Sequence, residues 1–249
     1  MKIKFLGTSA GWPLPRLGCK DKICSSIDPK DKRTRSQALV NDRLLLDIGP
    51  DTYLHLSQPD VNPTLIEYAA ITHEHSDHTF GLWDLGHIYN AQPIKVIIDP
   101  STFRKIRKLF FYKEYKVLKI ASGSSVRDLD LEISLLRLNH TNSSFGILIQ
   151  GEGKKFFWAP DFKTFPAETI NILKKIDLVA MDGSELKIPT TNHQTIEEGI
   201  LLGKRLDAKK NYFIHLGHRT LPHKELENFI KKKGGSRFEV AYDGLEIKV

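Results

Sequence analysis

Two cysteines in 249 residues are too few for a disulfide-built scaffold. No apolar run is long enough to span a bilayer. The apolar patch after Met1-Lys2 is too short for the core of a secretion signal. These absences lead to the expectation of a soluble, cytoplasmic protein with no membrane partner. Internal repeats, low-complexity tracts and linkers are also missing, and the length suffices for a sizeable core. One domain over residues 1–249 is therefore expected, and homodimerisation is left open. Charge of neither sign dominates: 37 Lys and Arg against 30 Asp and Glu leave +7. That excess favours an anionic partner only weakly, because most such charge is a solvated face.

Histidine and aspartate carry the chemistry. Thr72-His73-Glu74-His75-Ser76-Asp77-His78 packs three imidazoles and two carboxylates into six residues. It follows the apolar run Tyr68-Ala69-Ala70-Ile71, which reads as a buried strand. Ligand-type residues at a strand tip face a cleft. Imidazole with carboxylate suits zinc, manganese or iron, and open coordination positions let such a metal activate water. A solvated His-rich turn is the alternative.

Other strands end on similar residues. Lys2 to Leu6 alternates and leads into Gly7-Thr8-Ser9-Ala10-Gly11, a tight turn or an anion-approaching one. A polar loop from Trp12 to about Thr34 holds both cysteines. Ala38 to Val40 and Leu44 to Gly49 read as a hairpin around Asn41-Asp42, with Asp47 near its end. Phe80 to Ile88 has a helical pattern, Ile94 to Ile98 is a strand, and Ser101-Thr102 opens a basic helix. Leu131 to Leu138 runs into His140; the hairpin Phe145 to Trp158, turning at Gly151-Glu152-Gly153, delivers Asp161; Asn211 to Ile214 ends on His215. Alone, His140 reads as a loop histidine, Asp161 as a helix cap and His215 as a core imidazole. Pro166 to Ile176 is a helix, Leu178 to Met181 a strand, and Thr195 to Glu198 a capping box. Phe238 to Tyr242, an Asp243-Gly244 turn and Leu245 to Val249 close the chain.

The pattern His73-x-His75-x-Asp77-His78 resembles that of the metallo-β-lactamase-fold hydrolases. Phe5 to Gly11 resembles the opening segment of their phosphodiesterase branch. That branch includes the PhnP-type cyclic-phosphate phosphodiesterases and the tRNA 3′-processing endonucleases. The resemblance implies an α/β fold, the four-layer αββα sandwich. It implies that His73, His75 and His140 hold one divalent ion, Zn²⁺ or Mn²⁺. By the same resemblance Asp77, His78 and His215 hold a second, and Asp161 bridges them. Two ions roughly 3.5–4 Å apart can share a hydroxide and clamp both oxygens of a phosphoryl transfer. Asp77 would help to orient that hydroxide, Asp47 is implied as a supporting carboxylate, and His193 as a group beside the metals that stabilises or protonates the leaving oxygen.

One departure concerns a structural zinc that PhnP-type proteins hold with C-x-C-x-x-C and a histidine. Here the loop reads Cys19-Lys20-Asp21-Lys22-Ile23-Cys24, so Asp21 replaces the middle cysteine, and His218 matches the histidine. Two thiolates, a carboxylate and an imidazole could still bind Zn²⁺. The function implied is hydrolysis of a small, cyclic phosphodiester. A tRNA 3′ endonuclease is the first alternative, though no Gly/Pro-rich arm is present. The nearest RNA-contacting stripe is Arg104 to Lys119 with Phe110, Phe111, Tyr112 and Tyr115 interleaved, which reads first as a partly buried basic helix. A thioester or lactone hydrolase and a metal-binding scaffold without turnover complete the alternatives.

Overall fold

Side-chain alternation along the strands builds the architecture. The computed structural model describes residues 1–89, 92–110 and 115–249. The chain first lays down β1 (Lys2–Gly7), β2 (Gln37–Val40), β3 (Leu44–Leu46), β4 (Tyr68–Ala70), β5 (Lys95–Ile98) and β6 (Lys116–Lys119). It then forms β7 (Ser125–Asp128), β8 (Leu131–Arg137), β9 (Phe145–Gly151), β10 (Lys154–Ala159), β11 (Leu178–Asp182), β12 (Lys210–Ile214) and β13 (Phe238–Val240). A last strand, β14 (Glu246–Lys248), returns to β1. The two seven-stranded sheets run β14-β1-β2-β3-β4-β5-β6 and β13-β12-β11-β10-β9-β8-β7.

Each sheet is apolar on both faces. Phe156 and Trp158 of β10 join Phe5 of β1 and Ile97 of β5 in a cluster between the sheets. Their neighbours Phe157 and Ala159 belong to an outer cluster with helices α5 (Ala167–Leu173), α6 (Ile196–Leu206) and α7 (His223–Gly234). On the far side, Val96 and Ile98 pack with α1 (Thr52–Leu56), α3 (Leu82–Leu85) and α4 (Pro100–Ile106). A period of two puts alternate side chains on opposite faces, so three apolar layers separate four layers of structure. This is the αββα sandwich. Fully burying one large apolar side chain contributes roughly 1.5–3 kcal/mol, so many such residues together fix the register. No helix among the described residues is long and apolar enough to cross a membrane.

Local chemistry explains the turns. Asn41 and Asp42 hold φ of 48° and 58°, the left-handed pair that a two-residue hairpin requires. The helix expected from Phe80 to Ile88 is only the short α3, and a separate turn of helix, α2 (Ser76–Thr79), precedes it. Gly81 separates them, and a Cβ there would lie 2.1 Å from the Gly49 carbonyl oxygen, so the backbones touch. The basic stretch from Arg104 divides into the end of α4, a 3-10 turn at Arg107–Phe110 and β6. Phe110 and Tyr115 pack on the outer cluster beside Phe103, with ring centroids 5.3 and 5.6 Å apart along the series. These aromatics therefore fill space under a helix. Phe111 and Tyr112 lie outside the described residues.

Candidate metal centre and active site

Parallel pairing brings the ligand-type residues together. β3 to β6 run parallel in one sheet, and β10 to β13 in the other. Ligands in such sheets gather beyond the carboxyl ends of strands. His73 follows β4, His140 follows β8, Asp161 follows β10 and His215 follows β12. His73, His75, His140 and Asp161 form one group of donors, and Asp77, His78, Asp161 and His215 form another, with the donor atoms of each within 4.8 Å of one another. Asp161 belongs to both. Its Oδ2 lies 3.2 Å from His73 Nε2 and 3.1 Å from His78 Nε2, while Oδ1 lies 3.0 Å from His215 Nδ1.

The spacing is that of ligands. Two donors about 2.0–2.1 Å from one tetrahedral ion lie about 3.3–3.4 Å apart. Here His78 Nε2 and Asp77 Oδ2 are 3.1 Å apart, His140 Nε2 and His75 Nδ1 3.4 Å, and His215 Nε2 and Asp77 Oδ2 3.5 Å. His73 Nε2, Asp161 Oδ1 and both His215 nitrogens are buried without a hydrogen-bond partner among the described residues. Buried polar atoms normally have one, so this convergence fits cations at the centre. Protonation agrees. Burial lowers the His73 imidazole to about 4, leaving it neutral as a ligand must be. Burial works against charge on Asp77 and Asp161, yet nearby imidazoles, His78 and His215 first among them, hold both carboxyls well below the ordinary range.

A second layer aims these donors. Asp47, fully buried, accepts from the Thr72 amide and hydroxyl at 2.9 Å each and from Trp158 Nε1 at 2.9 Å. Its Oδ2 also sits 3.0 Å from His78 Nδ1, the carboxylate–imidazole arrangement that orients a ligand. His140 Nδ1 donates to the Asn192 carbonyl at 2.9 Å, which turns Nε2 inward. Glu74 points elsewhere: it pairs with Lys105 and accepts from Ser143 Oγ at 2.7 Å, pinning the turn after His140. Gly11 packs so closely on Asp77 that a Cβ would lie 3.1 Å from Oδ2. The amides of Thr8, Ser9 and Ala10 are bonded to Thr34 and Leu216 carbonyls, so these three brace the His215 loop and are not free for an anion.

His193 stands beside the centre, with Nδ1 2.8 Å from Asp182 Oδ2 and 3.4 Å from Asp161 Oδ1. Burial lowers its proton affinity, but the Asp182 carboxylate outweighs that and raises it to about 9. Asp182, the last residue of β11, escapes sequence reasoning, although a strand ending on Asp-Gly beside other ligand-bearing strand ends was the available signal. The cavity, about 310 Å³, is lined by Trp12, Arg16, Ser184, Glu185, His218 and Arg219 as well as by ligand-type residues. Cys19, Asp21 and His218 meet within 4.8 Å. Cys24, buried, is not among those converging donors, but its hydrogen bond helps push the Cys19 thiol up to about 11.

Residues 42–216 match the profile of the beta-lactamase superfamily domain. An octanoyltransferase of Porphyromonas gingivalis strain W83 is 28% identical over 260 residues, covering 99% of this chain and 51% of that protein. A ribonuclease Z of Pyrobaculum islandicum is 29% identical over 153 residues, 60% of this chain and 46% of that protein. The chain thus spans about half the length of these curated relatives. Among solved structures, a diphosphatase from the PhnP family superposes with a TM-score of 0.86 at 22% identity, covering 100% of this chain and 97% of that one.

Proposed function

From the premise that the chain belongs to the beta-lactamase superfamily, as a metallo-β-lactamase-fold hydrolase, we propose that it is a dinuclear metal-dependent phosphodiesterase acting on a small phosphodiester. The observation that carries the dinuclear part is Asp161, which belongs to both donor groups, its Oδ2 lying between His73 of one and His78 of the other. His73, His75 and His140 would hold one divalent ion, Asp77, His78 and His215 the other, with Asp161 shared. When bound, such ions supply a Lewis acid for the phosphoryl oxygens and an acidified water at neutral pH.

The chain's own groups complete the chemistry. Asp182 accepts from Nδ1 of His193 and so fixes the ring and its charge. The opposite nitrogen then carries a proton that it can give to a departing alkoxide. With His193 itself lining the cavity, that proton lies where the substrate enters. The cyclic nature of the diester and a cytoplasmic setting belong to the same proposal.

A second reading follows from the octanoyltransferase, which is similar along nearly the whole of this chain but is about twice as long. It makes an acyl thioester the competing substrate. The ribonuclease Z match makes precursor tRNA the third. Metal-loaded protein offered bis(p-nitrophenyl) phosphate, a 2′,3′-cyclic nucleotide, an octanoyl thioester and a tRNA precursor separates them. Cleavage of the two small diesters is expected. Turnover of the thioester alone, or of the tRNA alone, refutes the proposal.

A further inference from the structure

Two guanidiniums line the cavity, and among the described residues only Arg219 makes an ion pair. Arg219 grips both oxygens of buried Glu185, from Nε to Oε2 at 2.9 Å and from Nη2 to Oε1. Arg16 makes no ion pair among the described residues. Its Nη1 lies 3.0 Å from His218 Nε2, and its guanidinium carbon lies 5.0 Å from the centroid of the exposed Trp12 ring.

The partner of Arg16 is itself held. A guanidinium only donates, so the His218 Nε2 facing it accepts. Nδ1 of the same ring donates to Asp21 Oδ2 at 2.6 Å, which fixes that tautomer. The same distance bears on the structural zinc. Two ligands of one tetrahedral ion lie about 3.3 Å apart, whereas 2.6 Å is a hydrogen-bond length. The donor set is also short of a fourth member, because Cys24 is not among the converging donors.

We propose that Asp21 and His218 act as a hydrogen-bonded positioning relay in place of a structural zinc, and that Arg16, aimed by this relay, recognises phosphate oxygens of the substrate. This rests on the phosphodiesterase reading. The remaining N–H groups of Arg16 form a planar fork that suits phosphate geometry, and the Trp12 face restrains it. Ser184 adds a second pointer to a polar ligand. It lines the same cavity, is 7% exposed, and its hydroxyl has no hydrogen-bond partner among the described residues.

The test uses the whole chain loaded with divalent metal and the variants Arg16→Ala, Asp21→Asn and His218→Gln. Metal content by plasma emission should read two ions per chain in every form. A third zinc in the wild type that disappears in Asp21→Asn overturns the relay. Calorimetric binding of inorganic phosphate should weaken about tenfold or more in Arg16→Ala, since a charge-assisted hydrogen bond is lost. In the turnover of bis(p-nitrophenyl) phosphate the defect should lie in KM more than in kcat, and added guanidinium ion should restore part of it. Asp21→Asn should share the KM defect. His218→Gln should show less of it, because an amide can accept from Arg16 while donating to Asp21. Unchanged phosphate affinity in Arg16→Ala overturns the inference while wild-type cleavage keeps the phosphodiesterase reading. A wild type that neither binds phosphate nor cleaves diesters fails that reading first.

Discussion

Replacing Asp47 by alanine should damage both the fold and the centre, by amounts that can be worked out separately. The carboxylate is fully buried and serves four groups. On its removal the Thr72 hydroxyl can turn to His73 Nδ1, 3.0 Å away, but the Thr72 amide and Trp158 Nε1 have no such alternative. Leaving a buried donor unsatisfied costs about 1–3 kcal/mol, so the two together cost roughly 2–6 kcal/mol. Against a typical net stability of about 5–15 kcal/mol, that lowers the denaturation midpoint and leaves the chain folded unless it lies at the low end of the range. His78, a ligand on the proposed reading, also loses the group that orients it, which typically costs 10–100-fold in metal affinity. Urea titration gives the first quantity and competition with a zinc-sensitive dye gives the second. A stability within about 0.5 kcal/mol of wild type, or an unchanged zinc affinity, refutes the reasoning.

Three further outcomes are expected. Asp161→Ala should drop the metal content below two ions per chain and abolish turnover while circular dichroism stays native; two ions with unchanged turnover would exclude the shared-ligand role. His193→Ala should keep both ions and lower turnover by roughly 10²–10⁴-fold, more for a ribose alkoxide than for nitrophenolate, and equal defects on both substrates would exclude proton donation. Because His193 is raised to about 9 by Asp182, its protonated form is present below that pH and lost above it. Activity should therefore fall on the alkaline side, Asp182→Asn should move the fall to lower pH, and an unmoved profile counts against the pair.

The strand ends that converge with ligand-type residues were legible because the chemistry is local. His73, His75, Asp77 and His78 fall within six residues, and the strand before them is uniformly apolar. Hairpins at Asn41-Asp42 and Glu152-Gly153 were equally plain, since left-handed backbone selects those residues. What was hidden depends on contacts between distant segments. β7, Ser-Val-Arg-Asp, is an exposed edge strand whose pattern has little apolar character to read. α7 carries Lys224, Lys231, Lys232 and Lys233 around a narrow stripe of Leu226 and Ile230, so its apolar face is easy to overlook. The break at Gly81 arises from its touching Gly49, more than thirty residues earlier, and nothing in the helical periodicity of Phe80 to Ile88 announces it. Asp182 became significant only when β11 was placed between β10 and β12, each of which leads into a ligand-type residue.

The charge of the chain says less about substrate than the charge of the cavity does. Three carboxylates, Asp77, Asp161 and Glu185, line it against two guanidiniums, Arg16 and Arg219. By that count the protein's own charged groups leave the cavity one negative charge, or neutral if His193 is an imidazolium. Such a pocket offers an anionic diester no net attraction, even on a chain of +7. Two divalent ions add four positive charges and reverse the balance at once. On this account metals are needed for the substrate to enter as well as for it to react. Inorganic phosphate should therefore bind the metal-loaded protein and not the chelated one, while Arg16 remains in place in both. Phosphate binding that survives chelation would show that the guanidinium alone attracts the anion, and would confine the metals to the chemical step.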